Sequence, residues 1–250
     1  MTTAPMTGKI AVITGGSGGI GSAIAAELAH AGATVVVTYR NAQEAAERLV
    51  AQLPGDGHWL QQLDVDDSAA LGKLAAEVKD QHGRCDMLVN CAGITRFVAH
   101  AELDALDDEL IDRIFRVNWR GAFAAVRAFR PLLAQTGDAL VVNISSIAGA
   151  TAMGSNIAYC ASKAALDSMT KSLARALAPA IRVVSVSPGL VDTEFVRGLD
   201  QKWRDEQASR TPLGRLATPQ EVGAAVLAVA TALKYSNGCI IPVDGGRPLT

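Results

Sequence analysis

The sequence predicts an α/β fold, a single domain in which a doubly wound parallel sheet of about seven strands is flanked by helices. Three observations carry this expectation. Short apolar runs alternate with longer segments of helical periodicity along the whole chain. The composition is 49% hydrophobic but only 4% aromatic, so the core is built from Ala, Val, Leu and Ile, as suits strands buried on both faces. The first strand runs through a glycine-rich turn, Thr14–Gly21, into a helix. A chain of 250 residues can bury one full core, and no composition shift, repeat or low-complexity stretch divides residues 1–250.

The elements follow in order. Lys9–Thr14 is a short apolar strand, and the helix after the glycine turn runs to about Ala31. Thr34–Thr38 is the second strand and Asn41–Leu53 the next helix. Trp59–Leu63 is strand three, followed by a helix over Asp67–Gln81. Met87–Asn90 is strand four. Leu106–Asn118 and Ala122–Ala134 read as two helices broken near Gly121. Leu140–Ile144 is a buried strand, and Ile157–Ala178 carries apolar residues at helical spacing. Ile181–Ser187 is a sixth strand, stopped by Pro188-Gly189. Residues 192–217 are polar and irregular, with one short helix around Gln201–Ser209. A loop this long in a compact domain is usually functional, so this segment is expected to be a mobile substrate loop. Pro219–Leu233 is helical, and Cys239–Val243 is the last strand.

Composition excludes several classes. A net charge of -2 argues against nucleic acid or an anionic membrane as the main partner. Cys85, Cys91, Cys160 and Cys239 show no metal-ligand spacing, so no metal and no disulfide is expected, and the setting is reducing and cytoplasmic. Met1–Gly8 has neither the charged nor the apolar region of a signal peptide. No apolar run reaches the length of a membrane span.

The chain is organised around Asn143–Lys163. Tyr159 and Lys163 stand four apart on one helix and project from one face. Ser145 and Ser146 leave the preceding strand at its carboxyl end, where open α/β sheets bind ligands. Free tyrosine is a poor acid or base near neutrality because its pKa is about 10. A lysine ammonium within a few ångströms favours the phenolate, and a serine hydroxyl can donate to a carbonyl oxygen. Such a trio can protonate a developing alkoxide, or deprotonate an alcohol in reverse. The bland alternative is an amphipathic tyrosine and a surface lysine.

The glycine turn lies between a strand and a helix, as a phosphate-binding turn should. The general G-x-G-x-x-G pattern passes through Gly16, Gly18 and Gly21. A dinucleotide site would carry an acid at the end of strand two to hold the ribose. That place reads Thr38-Tyr39-Arg40, with no acid; Arg40 is either the partner of an NADP 2′-phosphate or a solvated charge.

These motifs together resemble the short-chain dehydrogenase/reductase family along essentially the whole chain. The family's T-G-x-x-x-G-x-G matches Thr14 and Gly15 to Gly21, which moves the glycine assignment to Gly15, Gly19 and Gly21, with Ser17, Gly18 and Ile20 in the same turn. Asp64-Val65 matches the acid that meets the adenine. Asn90-Cys91-Ala92-Gly93 matches N-N-A-G, and Asn118 the active-site asparagine. The catalytic serine, thirteen residues before the tyrosine, is Ser146 rather than Ser145. Tyr159 and Lys163 match Y-x-x-x-K. Pro188-Gly189 matches P-G, with Val191 and Thr193 near the nicotinamide carboxamide, and Val243–Gly246 matches the V-D-G-G ending. The segments Asn90–Arg96 and Gly214–Glu221 are most similar to 3-oxoacyl-acyl-carrier-protein reductases.

The resemblance implies a Rossmann fold and an NAD(P)(H)-dependent oxidoreductase, with NADP(H) preferred and NAD(H) possible. Hydride transfer would interconvert a ketone, 3-oxoacyl-like or another small apolar carbonyl, and a secondary alcohol. Tyr159 would move the proton, Lys163 would assist it and bind the ribose of the cofactor, Ser146 would hold the carbonyl oxygen, and Asn118 would keep a relay water. Relatives imply a homotetramer. Three places depart from the closer pattern: Cys91 replaces an asparagine, Gly18 replaces a basic residue, and the carrier-docking positions at 134–138 and 178–180 are neutral or acidic. The substrate pocket is expected between Ile94–Ala99, Ala150–Ser155 and Leu190–Leu213, which hold Phe97, Met153, Phe195, Trp203 and Leu213. The rival readings are an NAD-dependent sugar, polyol or alcohol dehydrogenase and a non-catalytic nucleotide-binding scaffold.

Overall fold

Parallel strands β1 (Ile10–Thr14), β2 (Thr34–Tyr39), β3 (Trp59–Gln62), β4 (Met87–Asn90), β5 (Ala139–Ile144), β6 (Ile181–Pro188) and β7 (Ile240–Val243) form one sheet. Their spatial order is β3-β2-β1-β4-β5-β6-β7. The computed structural model describes residues 4–249, apart from the Phe195 side chain. Expectations for Met1–Thr3 and for the Phe195 side chain therefore lie outside the described residues.

The helices are α1 (Gly19–His30), α2 (Gln43–Gln52), α3 (Ser68–His82), α4 (Asp108–Phe115), α5 (Ala122–Ala134), the short α6 (Ala148–Thr151), α7 (Ile157–Leu177), α8 (Glu194–Arg197), α9 (Gln201–Ser209) and α10 (Pro219–Thr231). The alternation of side chains along each strand splits the core in two. Ala11, Ile13, Val35 and Val37 pack with Ile24 and Leu28 of α1 and with Val222 and Val226 of α10. Val12, Val36, Leu88 and Val141 pack with Leu71 and Leu74 of α3 and Phe129 of α5 on the other face. The strands read as unbroken apolar runs because both faces are covered. Pro242, which cannot donate to a ladder, sits on β7 at the sheet edge.

The helix around Gly121 is not broken, contrary to the sequence expectation. Residues 116–121 form a π turn that joins α4 to α5, and Gly121 itself has helical angles (φ -61, ψ -45). Glycine serves close approach here: an added Cβ would stand 2.9 Å from Val65 Cγ2 and 3.0 Å from the Val65 carbonyl oxygen. The π turn absorbs one extra residue without ending the helix, and Asn118 lies inside it.

Within residues 192–217 the expected short helix is α9, and a second, α8, which the sequence did not indicate, precedes it. Asp192 receives Arg197 Nε (3.2 Å) and Arg204 Nη2 (3.0 Å), which ties the two short helices to the end of β6.

Gly121→Ala should destabilise the protein by about 1–2 kcal/mol, overpacking against Val65 outweighing the gain in helix propensity. Urea unfolding measures this, and unchanged stability would show that Val65 yields freely.

Candidate active site

β1 and β4 are neighbours where the strand order reverses, and a cavity of about 650 Å³ opens at their carboxyl ends. Crevices at such switch points hold ligands in open α/β sheets. Gly15, Ser17, Gly18, Gly19, Ile20 and Gly21 line one end. A Cβ on Gly21 would collide with the Gly15 carbonyl oxygen, so the turn can fold under α1 only with glycine there. No side chain caps the start of α1, so its free N–H groups and positive dipole end are uncovered. This cradle fits the pyrophosphate of a dinucleotide.

Tyr39, Arg40 and Asn41 at the end of β2, and Leu63, Asp64 and Val65 after β3, continue the wall. Arg40 is exposed, with its backbone oxygen held by Gln62 Nε2 at 3.0 Å. Asp64 Oδ1 accepts the Asp66 N–H at 3.0 Å. Ala92 and Gly93 enter from the end of β4, and Thr193 and Glu194 from α8. A Cβ on Gly19 would stand 3.1 Å from the Thr193 methyl, so α8 closes directly over the glycine turn. Pro188, Gly189 and Val191 are not on the wall. Gly189 N–H bonds the Val243 oxygen at 2.9 Å, and Val191 bridges to Ala217, so this stretch supports Thr193 from behind.

α7 presents Tyr159 and Lys163 to the same cavity. Lys163 is 5% exposed; its Nζ donates to the Ile144 oxygen at 2.8 Å and lies 5.7 Å from the centre of the Tyr159 ring. Asn118, 1% exposed, grips the backbone after β4 from both sides: Oδ1 accepts the Ile94 N–H (2.8 Å) and Nδ2 donates to the Ile94 oxygen (3.0 Å). Nδ2 also donates to Ser162 Oγ (3.1 Å), which in turn donates to the Tyr159 backbone carbonyl (2.8 Å). Ser145 lies on the cavity wall, but its Oγ is buried behind that wall toward Asp167, whereas Ser146 is half-buried and its Oγ accepts the Ala148 N–H at 3.2 Å.

Asn90 also departs from its expected place at the cofactor. Its Nδ2 donates to Asn143 Oδ1 at 2.8 Å inside the sheet, and Asn143 passes the chain to Thr170 and Ser185 on α7 and β6. Ser162 and Asn156 escape the sequence reading. Their signal was positional only: Asn156 is a side-chain cap at the start of a helix.

At the expected substrate side, Phe97, Met153 and Leu213 are 70%, 49% and 67% exposed. The arginines there are matched by acceptors. Arg96 donates to Asp107 and to the Ala105 oxygen, while Arg197 and Arg204 share Asp192.

A cradle for a dinucleotide beside a tyrosine–lysine pair defines the class of a nicotinamide-dependent oxidoreductase. The comparisons agree. A family model described as enoyl-(acyl carrier protein) reductase matches residues 15–247. A Streptomyces violaceoruber protein, named as the second ketoacyl reductase of the granaticin polyketide synthase, is 37% identical over 100% of both chains. The 3-oxoacyl-acyl-carrier-protein reductase of Thermotoga maritima is 36% identical over 96% of this chain and 98% of its own. D-threitol dehydrogenase of Mycolicibacterium smegmatis is 36% identical, over 96% and 93%. Among solved structures, a short-chain dehydrogenase/reductase of Brucella melitensis titled glucose/ribitol dehydrogenase superposes with a TM-score of 0.91 at 30% identity, covering 98% and 99%. The chain belongs to the short-chain dehydrogenase/reductase family. It is an oxidoreductase that interconverts a ketone and a secondary alcohol with NAD(P)(H). No helix among the described residues is long and apolar enough to cross a membrane.

One carboxyl behind the site stands outside this chemistry. Burial pushes Asp167, one turn beyond Lys163, above the usual carboxylate range, opposed by Ser145, Ser185, Lys163 and Lys171 nearby. Its Oδ1 makes no direct hydrogen bond, and neither does Ser145 Oγ. A raised carboxyl in the folded state holds a proton that the unfolded chain has released. Stability therefore falls as pH rises from the unfolded value of about 3.9 through the raised folded value. Asp167→Asn should melt higher than the parent at pH 8, by about 2–4 °C for each kcal/mol recovered, with the difference vanishing near pH 4. Thermal melts across that range check it; a lower melting temperature at pH 8 would mean that the ionised carboxylate stabilises the fold.

Proposed function

We propose that the enzyme reduces a modest, apolar, carrier-free ketone with NADPH, and that Tyr159 is its proton donor. The observation carrying this reading is the convergence of Tyr159 and the buried Lys163 ammonium on the cavity beside the glycine cradle. When bound, the nicotinamide supplies the hydride in reduction and accepts it in oxidation. Tyr159 delivers its hydroxyl proton to the oxygen of the reacting carbonyl, and takes one back from the alcohol in reverse. Lys163 places a fixed positive charge beside the phenolate that results. Its Nζ is also the group available to the ribose hydroxyls. Ser146, half-buried just past the end of β5, supplies a hydroxyl donor to the carbonyl oxygen. Asn118 fixes Ile94, and with it the wall between cofactor and substrate.

NADP(H) preference rests on Arg40, an exposed guanidinium at the cavity edge with no acid at the end of β2. Ser17 and Asn41 beside it are further polar partners for a 2′-phosphate. The preference for an apolar substrate rests on the exposed Phe97, Met153 and Leu213 and on the pairing of Arg96, Arg197 and Arg204 with carboxylates. Such a mouth offers little to a phosphorylated or carrier-bound substrate. Residues 192–217, anchored through Asp192, act as the lid of this mouth.

Subunit association is proposed through α5 and α7. Trp119 and Phe123 stack there at 6.0 Å with Arg127 over the Phe123 ring, and Phe123 is 37% exposed. Leu166 and Met169, both buried, pack beneath Trp119 and back this aromatic pair. Sedimentation should give a homotetramer; a monomer at micromolar concentration would remove this part of the reading.

Fluorescence titration with NADPH and NADH, followed by turnover of trans-1-decalone and ethyl 3-oxobutanoate, tests the chemistry. Tyr159→Phe should bind NADPH as the parent does and lose about 10²–10⁴-fold in turnover. Near-parental turnover would take the proton away from Tyr159. Arg40→Ala should lower NADPH affinity about tenfold and leave NADH unchanged. A parent that prefers NADH would instead favour the polyol-oxidising reading, to which the similarity to D-threitol dehydrogenase also points.

A further inference from the structure

We infer that Asn156 is a positioning residue that locks the substrate-side wall to the first turn of the helix carrying Tyr159. The inference rests on the reading of Tyr159 as proton donor. Asn156 is 0% exposed and stands at the N-cap of α7 with extended backbone angles. Its Oδ1 accepts the Tyr159 N–H at 2.7 Å. Its Nδ2 donates to the Arg96 oxygen at 2.7 Å and to Thr95 Oγ1 at 3.3 Å. One planar amide thus holds the tyrosine's own peptide and, on its other edge, the segment that follows β4.

A cap alone does not require this residue. Serine, threonine or aspartate would accept the same N–H, and most caps sit at the surface. Only an amide offers an acceptor and two donors from a rigid plane. An aspartate here would turn a buried carboxylate against the Arg96 carbonyl oxygen. The donor edge is therefore what the position demands beyond capping.

The segment it grips is functional surface. Ile94 and Thr95 line the cavity, and Phe97, two residues further on, is exposed. Further bonds zip the same two segments together: the Thr95 and Ser155 hydroxyls pair, and the Val98 N–H reaches the Ser155 oxygen at 2.8 Å. Among these, Asn156 is the member that also holds the peptide of Tyr159. A substrate leaning on the wall is thereby placed relative to the proton donor. Small misplacements of that kind are costly, about 10²-fold in rate for roughly 1 Å.

Two variants separate the two edges of the amide. Asn156→Ser keeps the cap acceptor and removes the donors to the wall. Asn156→Ala removes both. Each is assayed with NADPH and trans-1-decalone, normalised to NADPH-binding sites, and followed by amide hydrogen exchange. Asn156→Ser should raise KM about fivefold or more and lower kcat severalfold, and should speed exchange at Val98 but not at Tyr159. Asn156→Ala should add a kcat loss of about tenfold or more and speed exchange at Tyr159 as well. NADPH affinity should stay at the parental value in both.

A purely structural role predicts fewer binding sites with parental kcat and KM per site, and that result overturns the inference. If Asn156→Ala does not fold, Asn156→Ser decides alone, since parental KM and parental Val98 exchange in it would also overturn the inference. Failure of the underlying reading looks different. Tyr159→Phe would then remain active whatever the Asn156 variants do.

Discussion

Lys163 carries an ammonium into the interior, and the arrangement around it answers that cost. Isolated charges are expensive to bury unless polar groups meet them. Among the described residues no carboxylate forms an ion pair with Lys163; the Ile144 carbonyl at the end of β5 takes its proton donor at 2.8 Å, and the Tyr159 ring lies across from it. Gly93, just beyond β4, leaves room beside Lys163: an added Cβ there would stand 3.7 Å from Nζ. Three separate elements, β4, β5 and α7, must therefore end in register for the lysine to be tolerated.

That register is fixed by polar side chains inside an otherwise apolar core. Asn90 and Asn143 pair on neighbouring strands, and the chain of hydrogen bonds continues through Thr170 to Ser185. Thr14 Oγ1 accepts the N–H groups of Cys91 and Ala92, which ties the end of β1 to the end of β4. Buried networks of this kind are stabilising only when nearly complete. They also make the strand ends rigid, and it is on the strand ends that the candidate site stands.

The π turn at residues 116–121 solves a related problem on the helical side. It lets one helix run from α4 into α5 while Asn118 meets the Ile94 backbone with both ends of its amide. The opposite side of the cavity is built from short helices. α8 and α9 are held by the arginine pairs on Asp192, partly exposed groups whose individual contribution is small, by the buried Val196, and by Arg247, which donates to the Arg210 carbonyl oxygen and to Gln207 Oε1 at 2.9 Å each.

The sequence by itself determined the layered α/β architecture, because strands buried on two faces leave continuous apolar runs and helices leave a 3.6-residue period. It also located the glycine turn, Tyr159, Lys163 and Asn118, since these stand at fixed spacings or in recognisable motifs. What it could not supply was decided by contacts between distant segments. Gly121 reads as a helix breaker until Val65 is seen against it. Asn90 reads as a cofactor residue until Asn143 takes its amide. Nothing local pairs Arg96 with Asp107 or Arg204 with Asp192; the fold brings them together. Asn156 has no local signature beyond that of a helix cap, because its second set of partners, Thr95 and Arg96, lies about sixty residues away in the chain. Local spacing is written in the order of residues, whereas the pairing of remote polar groups is fixed only when the sheet brings their strand ends together.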